Sequence, residues 1–306
     1  MCSWHFTLLA AASNLFLVAN DLGNTAPART HKTLWWKEAA IFIAFYSVYT
    51  WTRNQFGSDR VNGVDIPVQA FRNAIRVVRF ERWIGLYHEE SVQEFFLSHR
   101  WFIQLLNTYY GTAHFIITIT VFVLLYKKRP DVFPQWRNTL AATTALAIVG
   151  FSLFPLMPPR LLDEPCPPQG HGAACIEVSE RGLDQGKTNF GFVDTLDVYG
   201  GPWDFSSGAG AKISNQYAAM PSLHIGWASW CAFAMWPLAR RRWIRALVLL
   251  YPAFTLMCII VTANHFWIDG VGGQLTLAVG FLIGTGFHKW NQRRLDAKYD
   301  AQLLTS

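Results

Sequence analysis

Two stretches of this sequence combine the residue types that phosphate chemistry needs. In residues 219–228, Ala-Met-Pro-Ser-Leu-His-Ile-Gly-Trp-Ala, Pro221 fits the first turn of a helix, where its missing N–H costs nothing and the neighbouring N–H groups are free to bind an anion. Ser222 adds a hydroxyl donor, and His224 a group that titrates near neutrality. In residues 264–269, Asn-His-Phe-Trp-Ile-Asp, Asp269 follows His265 by four positions. On a helix the two share a face, so the carboxylate can orient the imidazole and stabilise its charge. A phosphoryl group held on the helix start at Ser222 would be attacked by one imidazole while the other protonates the departing oxygen. Taken singly, each stretch has an ordinary structural role: Pro-Ser opens many helices, and His-x-x-x-Asp is commonly a packing pair.

The element between them brings the two together. After His224 the chain runs apolar to Leu238, turns at Arg240-Arg241-Arg242, and returns apolar over 243–263. Two helical legs of about 30 Å, at ~1.5 Å per residue, cross the hydrocarbon and bring His265 back to the face left at His224. Composition agrees with a membrane setting. The chain of 306 residues is 52% hydrophobic with 14 Trp, and only 15% of it is charged, against about a quarter in soluble domains. The net charge of +6 does not indicate nucleic acid, because Lys and Arg sit at the ends of apolar segments; anionic lipid headgroups are the natural counter-charge.

The pattern predicts an all-α integral membrane protein: a six-span helical bundle over 34–290, an amphipathic interfacial helix, one long outer loop, and a cytoplasmic tail over 291–306. Residues 1–33 form an N-terminal extension whose apolar part, 4–19, lacks the marks of a signal peptide. The spans fall near 34–51, 101–126, 139–157, the two hairpin legs, and 266–287. Between the first two, Phe71, Ala74, Ile75 and Val78 recur at helical spacing with Arg72, Arg76 and Arg79 on other sides, as in a helix lying among headgroups. Residues 158–217 form a polar loop rich in Gly, Pro and acids, while the turns at 127–137, 240–245 and 289–298 are basic. The positive-inside rule therefore puts the loop, His224 and His265 outside. A bacterial cytoplasmic membrane suits the compact chain and its lack of Asn-x-Ser/Thr sites. Cys231 and Cys258 read as small core residues; Cys166 and Cys175 lie close enough in the loop to pair in an oxidising compartment.

Pro221-Ser222-Leu223-His224 and His265-x-x-x-Asp269 resemble the second and third signature motifs of the type-2 phosphatidic acid phosphatase superfamily. The resemblance implies cleavage of lipid phosphate esters through a phosphohistidine, with no metal and no cofactor. The Leu of Pro-Ser-Leu-His, the following Gly-Trp-Ala, and Asp-Gly-Val-Gly-Gly over 269–273 are more similar to the inositol phosphorylceramide synthase branch. So are Asn107-x-Tyr109-Tyr110…His114 and the preceding Glu81-x-x-x-Gly85-Leu-x-x-Glu89-x-x-x-Gln93. Two features depart from the superfamily pattern. Arg129-Pro130 has Phe122 where the first motif has Lys, and Ile259 stands where the third has Arg.

A phosphoryl group needs fixed positive charge, and Arg holds two oxygens at once. Arg160, in Pro158-Pro159-Arg160, follows the third span on the side of both histidines. It is the expected phosphate ligand with Ser222, and the resemblance places a Pro-Pro-Arg or Pro-Pro-Trp stretch here. Lys212, or an Arg from 72–82, is the alternative source of charge. His114, Tyr110 and Lys212 are candidate cavity-lining residues, a His within a span being a functional candidate by default. The expected catalytic set is thus His265 as nucleophile, Asp269 as its orienting base and His224 as acid. The reading is a phosphotransferase acting on a membrane lipid such as a phosphoinositol, polyprenyl or glycerolipid phosphate, with a polyol or sugar acceptor. Hydrolysis by water is the alternative. Two other classes use the same residue types: a zinc hydrolase with His224, His265, Asp269 and His114 as ligands, for which no compact two-His motif is present, and a lipid transporter with buried His and Asp as a proton relay, for which no inverted repeat is evident.

Overall fold

The computed structural model describes residues 34–55, 65–163, 172–176, 190–200 and 215–305. The N-terminal extension to residue 33, Lys212, Cys166 and the side chain of Cys175 lie outside the described residues, and so does any pairing of the two cysteines. Nine α-helices are described: α1 Trp35–Gln55, α2 Asp65–Ile84, α3 Glu89–Leu97, α4 Arg100–Lys128, α5 Phe133–Leu153, α6 Thr195–Tyr199, α7 Leu223–Met235, α8 Arg242–Val261 and α9 Trp267–Thr305. No strand occurs among the described residues; one isolated parallel bridge joins Leu156 and Ala218.

Among the described residues, three helices are long and apolar enough to cross a membrane: α4, α8 and, within α9, Trp267–Gln302. Helices α1 and α5 have 21 residues each, or about 31 Å. Helix α7 is shorter than the first hairpin leg expected from the sequence. It has 13 residues, about 20 Å, with a 3₁₀ turn, Trp236–Leu238, after it. Two local causes limit it. Ser222 is extended (φ −70°, ψ 107°) and serves as the N-cap, and Pro237 opens the 3₁₀ turn, where it has no N–H to continue the helix. Pro221 therefore stands outside the helix, correcting its expected place in the first turn. The last helix runs unbroken through residue 290, where a tail was expected to begin.

Helix α2 has the face its periodicity predicts: Phe71, Ala74 and Val78 are buried, Ile75 is half-buried, and Arg72, Arg76 and Arg79 are exposed. Its apolar side joins Leu156, Met157, Leu161, Tyr217 and Phe266 in one cluster. Helices α5 and α9 pack along a seam of small residues. A Cβ at Gly280 would sit 2.8 Å from the Thr143 backbone nitrogen, and one at Gly284 would sit 2.5 Å from that of Thr139. Such closeness is how helices gain dispersion contacts where lipid competes equally for apolar groups. Trp230 Nε1 donates to the Trp136 carbonyl at 2.9 Å, and Trp227 Nε1 to Thr144 Oγ1 at 3.1 Å, so α7 is pinned to α5. Helix α1 joins α5 through Arg137, whose Nη1 contacts both Glu38 oxygens at 2.6 and 2.7 Å. Cys231 and Cys258 are buried and free, as expected.

Much of the described part of the long loop is packed, although Ala174, Gly191, Asp197 and Val198 are exposed. Leu161, Leu162, Ala173, Ile176, Phe192 and Thr195 are all buried. Gln93 donates to the Val193 carbonyl and accepts from its N–H, both at 2.9 Å. Asn107 donates to the carbonyls of Thr195 and Gly200. Polar side chains on α3 and α4 thereby satisfy loop backbone that would otherwise be stranded in the interior.

Candidate active site

The turn between α8 and α9 sets the position of His265. Ala263 takes a left-handed conformation (φ 51°), uncommon for a residue with a Cβ, and the N–H groups of both Asn264 and His265 donate to the Ile259 carbonyl at 3.0 and 3.2 Å. The chain thus folds back over the end of α8, with His265 just before the first turn of α9. His265 Nδ1 lies 3.1 Å from Asp269 Oδ2. The same oxygen accepts the Phe266 N–H at 3.0 Å, the reach-back of a helix N3 acid to its cap residue. With Nδ1 protonated and donating to Asp269, Nε2 carries the lone pair. Asp269 is wholly buried, and its Oδ1 has no partner.

The motif on α7 meets this turn directly. Ser222 N–H donates to the Asp269 carbonyl at 3.0 Å. The approach depends on Gly273, where a Cβ would fall 2.3 Å from the Ser222 carbonyl oxygen, and on Gly272, which faces Pro221. Ser222 Oγ is buried, makes no capping bond, and has no partner. A hydroxyl in that state costs free energy unless something binds it. The rings of His224 and His265 have centroids 5.6 Å apart at 64°. On the other side of His224, Tyr110 stacks at 4.3 Å and His114 lies edge-on at 4.5 Å. Trp227 backs His114 at 6.0 Å.

Arg160 reaches the same turn. Its backbone N–H donates to the Ala263 carbonyl at 2.8 Å, and its Nε to Asn264 Oδ1 at 3.0 Å. Nη1 pairs with Asp194 and Nη2 with Gln216. The guanidinium is buried, so Asp194 offsets its desolvation and three partners fix its plane. The alternative arginines lie elsewhere: Arg72, Arg76 and Arg79 are on the exposed face of α2, and Arg82 lies over the Tyr87 ring. Arg129, in the altered first motif, is bound to Asp131 at the end of α4. Ile259, in the altered third motif, is buried against Ile225 and Ile260. Ser222, His224, His265, Asp269, Arg160, Tyr110 and His114 therefore converge on one region.

Reasoning from the sequence left two neighbours of this region without a role. Glu89 Oε1 accepts the Trp267 N–H at 3.1 Å, and Glu81 Oε1 accepts the Ile268 N–H at 2.9 Å, so two acids from α2 and α3 cap the first turn of α9. Both are buried. Burial, followed by the hydrogen bond and the charge of Glu89, pushes the Glu81 carboxyl well above the usual carboxylate range. Their separation by eight residues across Gly85 was the available signal. Among the described residues no group of three His, Cys, Asp or Glu is arranged to hold a metal ion.

Comparison with known proteins adds one finding. Neither the curated proteins nor the solved structures include a match to this chain. A sequence model described as "PAP2 superfamily" does match, over residues 75–283. That span begins on α2, runs through the long loop and both histidine motifs, and ends on α9 within the glycine–threonine seam, between Gly280 and Gly284. Because it takes in well over half of the 306 residues and every element that builds the site, the chain belongs to the PAP2 superfamily.

Proposed function

We propose that this protein is a membrane phosphotransferase that moves the phosphoryl group of a lipid phosphate ester through a phosphohistidine. One observation carries the reading. His265, bonded through Nδ1 to Asp269, faces His224 across 5.6 Å beside the buried, unpartnered hydroxyl of Ser222. A tetrahedral phosphoryl group between the rings can touch both imidazoles and accept from Ser222 Oγ, with Arg160 held alongside. His265 Nε2 attacks phosphorus and forms the N–P bond. The bond from phosphorus to the lipid oxygen breaks, and that oxygen takes a proton from the His224 imidazolium. Asp269 stabilises the charge left on the His265 ring. In the second half, an acceptor hydroxyl gives its proton to His224 and its oxygen attacks phosphorus. The N–P bond breaks and free His265 returns.

The acceptor is a polyol or sugar in this reading, because the residues after Asp269 and the Leu of Pro-Ser-Leu-His are more similar to the phosphotransferase branch than to the plain phosphatases. Lipid binding from the outer leaflet of a bacterial cytoplasmic membrane follows from the basic turns opposite the loop. Product analysis with a labelled lipid phosphate, with and without inositol or a sugar, tests the proposal. Acceptor-dependent labelled product supports transfer; inorganic phosphate alone, unaffected by acceptor, makes the protein a phosphatase. Brief incubation with ³²P-labelled lipid followed by mapping should place the label on His265. An unlabelled but fully active protein would overturn the covalent step.

A further inference from the structure

Three acids crowd the start of α9. Asp269 Oδ2 takes the Phe266 N–H, Glu89 Oε1 the Trp267 N–H and Glu81 Oε1 the Ile268 N–H. Consecutive backbone donors of the helix entry are thus all taken by carboxyl oxygens. The chain is turned to allow this. Gly85 adopts a left-handed conformation (φ 74°) and Leu86 N–H donates to the Glu81 carbonyl at 2.8 Å. This six-to-one bond is that of a glycine helix stop, and it returns Glu89 to the side of Glu81.

The charge balance of this cluster is unusual. Glu89 also accepts the His88 N–H at 3.0 Å, so both its oxygens have donors. Glu81 Oε2 is buried and has none. No Arg or Lys pairs with either acid among the described residues. Arg82 is turned onto Tyr87, and Glu90 is turned against Gly191. The titratable groups facing Glu81 are Glu89 from α3 and Asp269, with its partner His265, from the start of α9. A stranded carboxylate oxygen here would be costly. The same oxygen carrying a proton and donating it to Glu89 would be satisfied.

We propose that Glu81 and Glu89 form a carboxyl–carboxylate pair holding one proton, and that this pair is a positioning device for His265 and Asp269. It clamps the two N–H groups immediately after the cap residue, so the angle at which α9 leaves the turn, and with it the His265 ring, depends on both acids. Neither touches the phosphoryl group. The raised affinity of Glu81 for its proton agrees with this arrangement. The inference rests on the proposed role of His265 and deepens it by assigning what holds that residue in place.

The test compares Glu81→Gln, Glu81→Ala and Glu89→Ala in the full chain in lipid nanodiscs, reading kcat, KM and the pH profile. The Gln amide accepts from Ile268 and donates to Glu89, as the protonated acid does. Glu81→Gln should therefore hold kcat within about threefold of wild type. Glu81→Ala and Glu89→Ala should lower kcat about 10- to 100-fold, the scale set by a misplaced reacting group, with KM nearly unchanged. Both proteins should lose activity as His224 gives up the proton its acid role requires, and wild type alone should fall more steeply at higher pH as the pair loses its proton, since Glu81→Gln has none to lose there. Three results would each overturn the proposal: wild-type kcat in Glu81→Ala, a Glu81→Gln no better than Glu81→Ala, or the same alkaline limb in wild type and Glu81→Gln. The covalent reading is judged separately, by whether wild type takes up ³²P on His265, so the two can fail independently.

Discussion

His265 has two ring nitrogens and the structure assigns them opposite surroundings: Nδ1 faces the buried Asp269, leaving Nε2 to face outward from the pair. His265→Ala and His224→Ala are expected to lower kcat at least about 10²- to 10⁴-fold, the usual scale of a proton-transfer partner, in protein that still folds; His265→Ala should also lower the unfolding temperature, because it leaves the buried Asp269 without its ring partner. Turnover of a labelled lipid phosphate checks this. Ser222→Ala should act differently. Its Oγ has no protein partner to strand, so stability should hold, while kcat/KM should fall about 10- to 100-fold for loss of a hydrogen bond to a charged group. At this scale the sequence was highly legible. Both motifs stood out by residue type and spacing, and so did Arg160 behind its two prolines. Its partners Asp194, Gln216 and Asn264 were not legible, because nothing in a polar loop marks which acid will meet a given arginine 34 residues away.

Elements hold these residues through close backbone approach. Gly280 is the sharpest case, since a Cβ there would lie 2.8 Å from a Thr143 backbone atom that cannot move without shifting α5. Gly280→Val should cost about 1–3 kcal/mol as overpacking, seen as a lower unfolding temperature in detergent. Gly286→Val, at a helical position where a Cβ meets nothing within 4 Å, is the matched control and should not lower that temperature. Periodicity correctly assigned the buried and basic faces of α2, since the face of a single helix is a local property. It overestimated α7, where an extended Pro-Ser entry and a proline-led exit shorten a stretch that is apolar throughout. Hydropathy measures burial, and it does not register where hydrogen bonding stops.

At the scale of the whole molecule, helix α1 is held to the bundle through α5. The bond from Arg137 to Glu38 ties α1 to α5, with Glu38 nearly buried and Arg137 at 23% exposure. Glu38→Ala should destabilise the protein by about 2 kcal/mol, below the roughly 3–5 kcal/mol of a fully buried pair because Arg137 keeps some solvent. Replacing both residues by Leu should recover most of the loss, and a double-mutant cycle of unfolding free energies measures the coupling. The sequence alone determined the helical class, the membrane character and the two histidine motifs. Each of these is written in composition or in residues a few positions apart, where chain connectivity enforces proximity. Tertiary structure decided which cation reaches the histidine turn, that the loop around Val193 and Thr195 is bonded to α3 and α4, and that two distant acids cap α9. Those choices join residues as far apart as Glu81 and Ile268, separated by 187 positions, and contacts at that range arise only once helices have packed and buried polar groups have found partners.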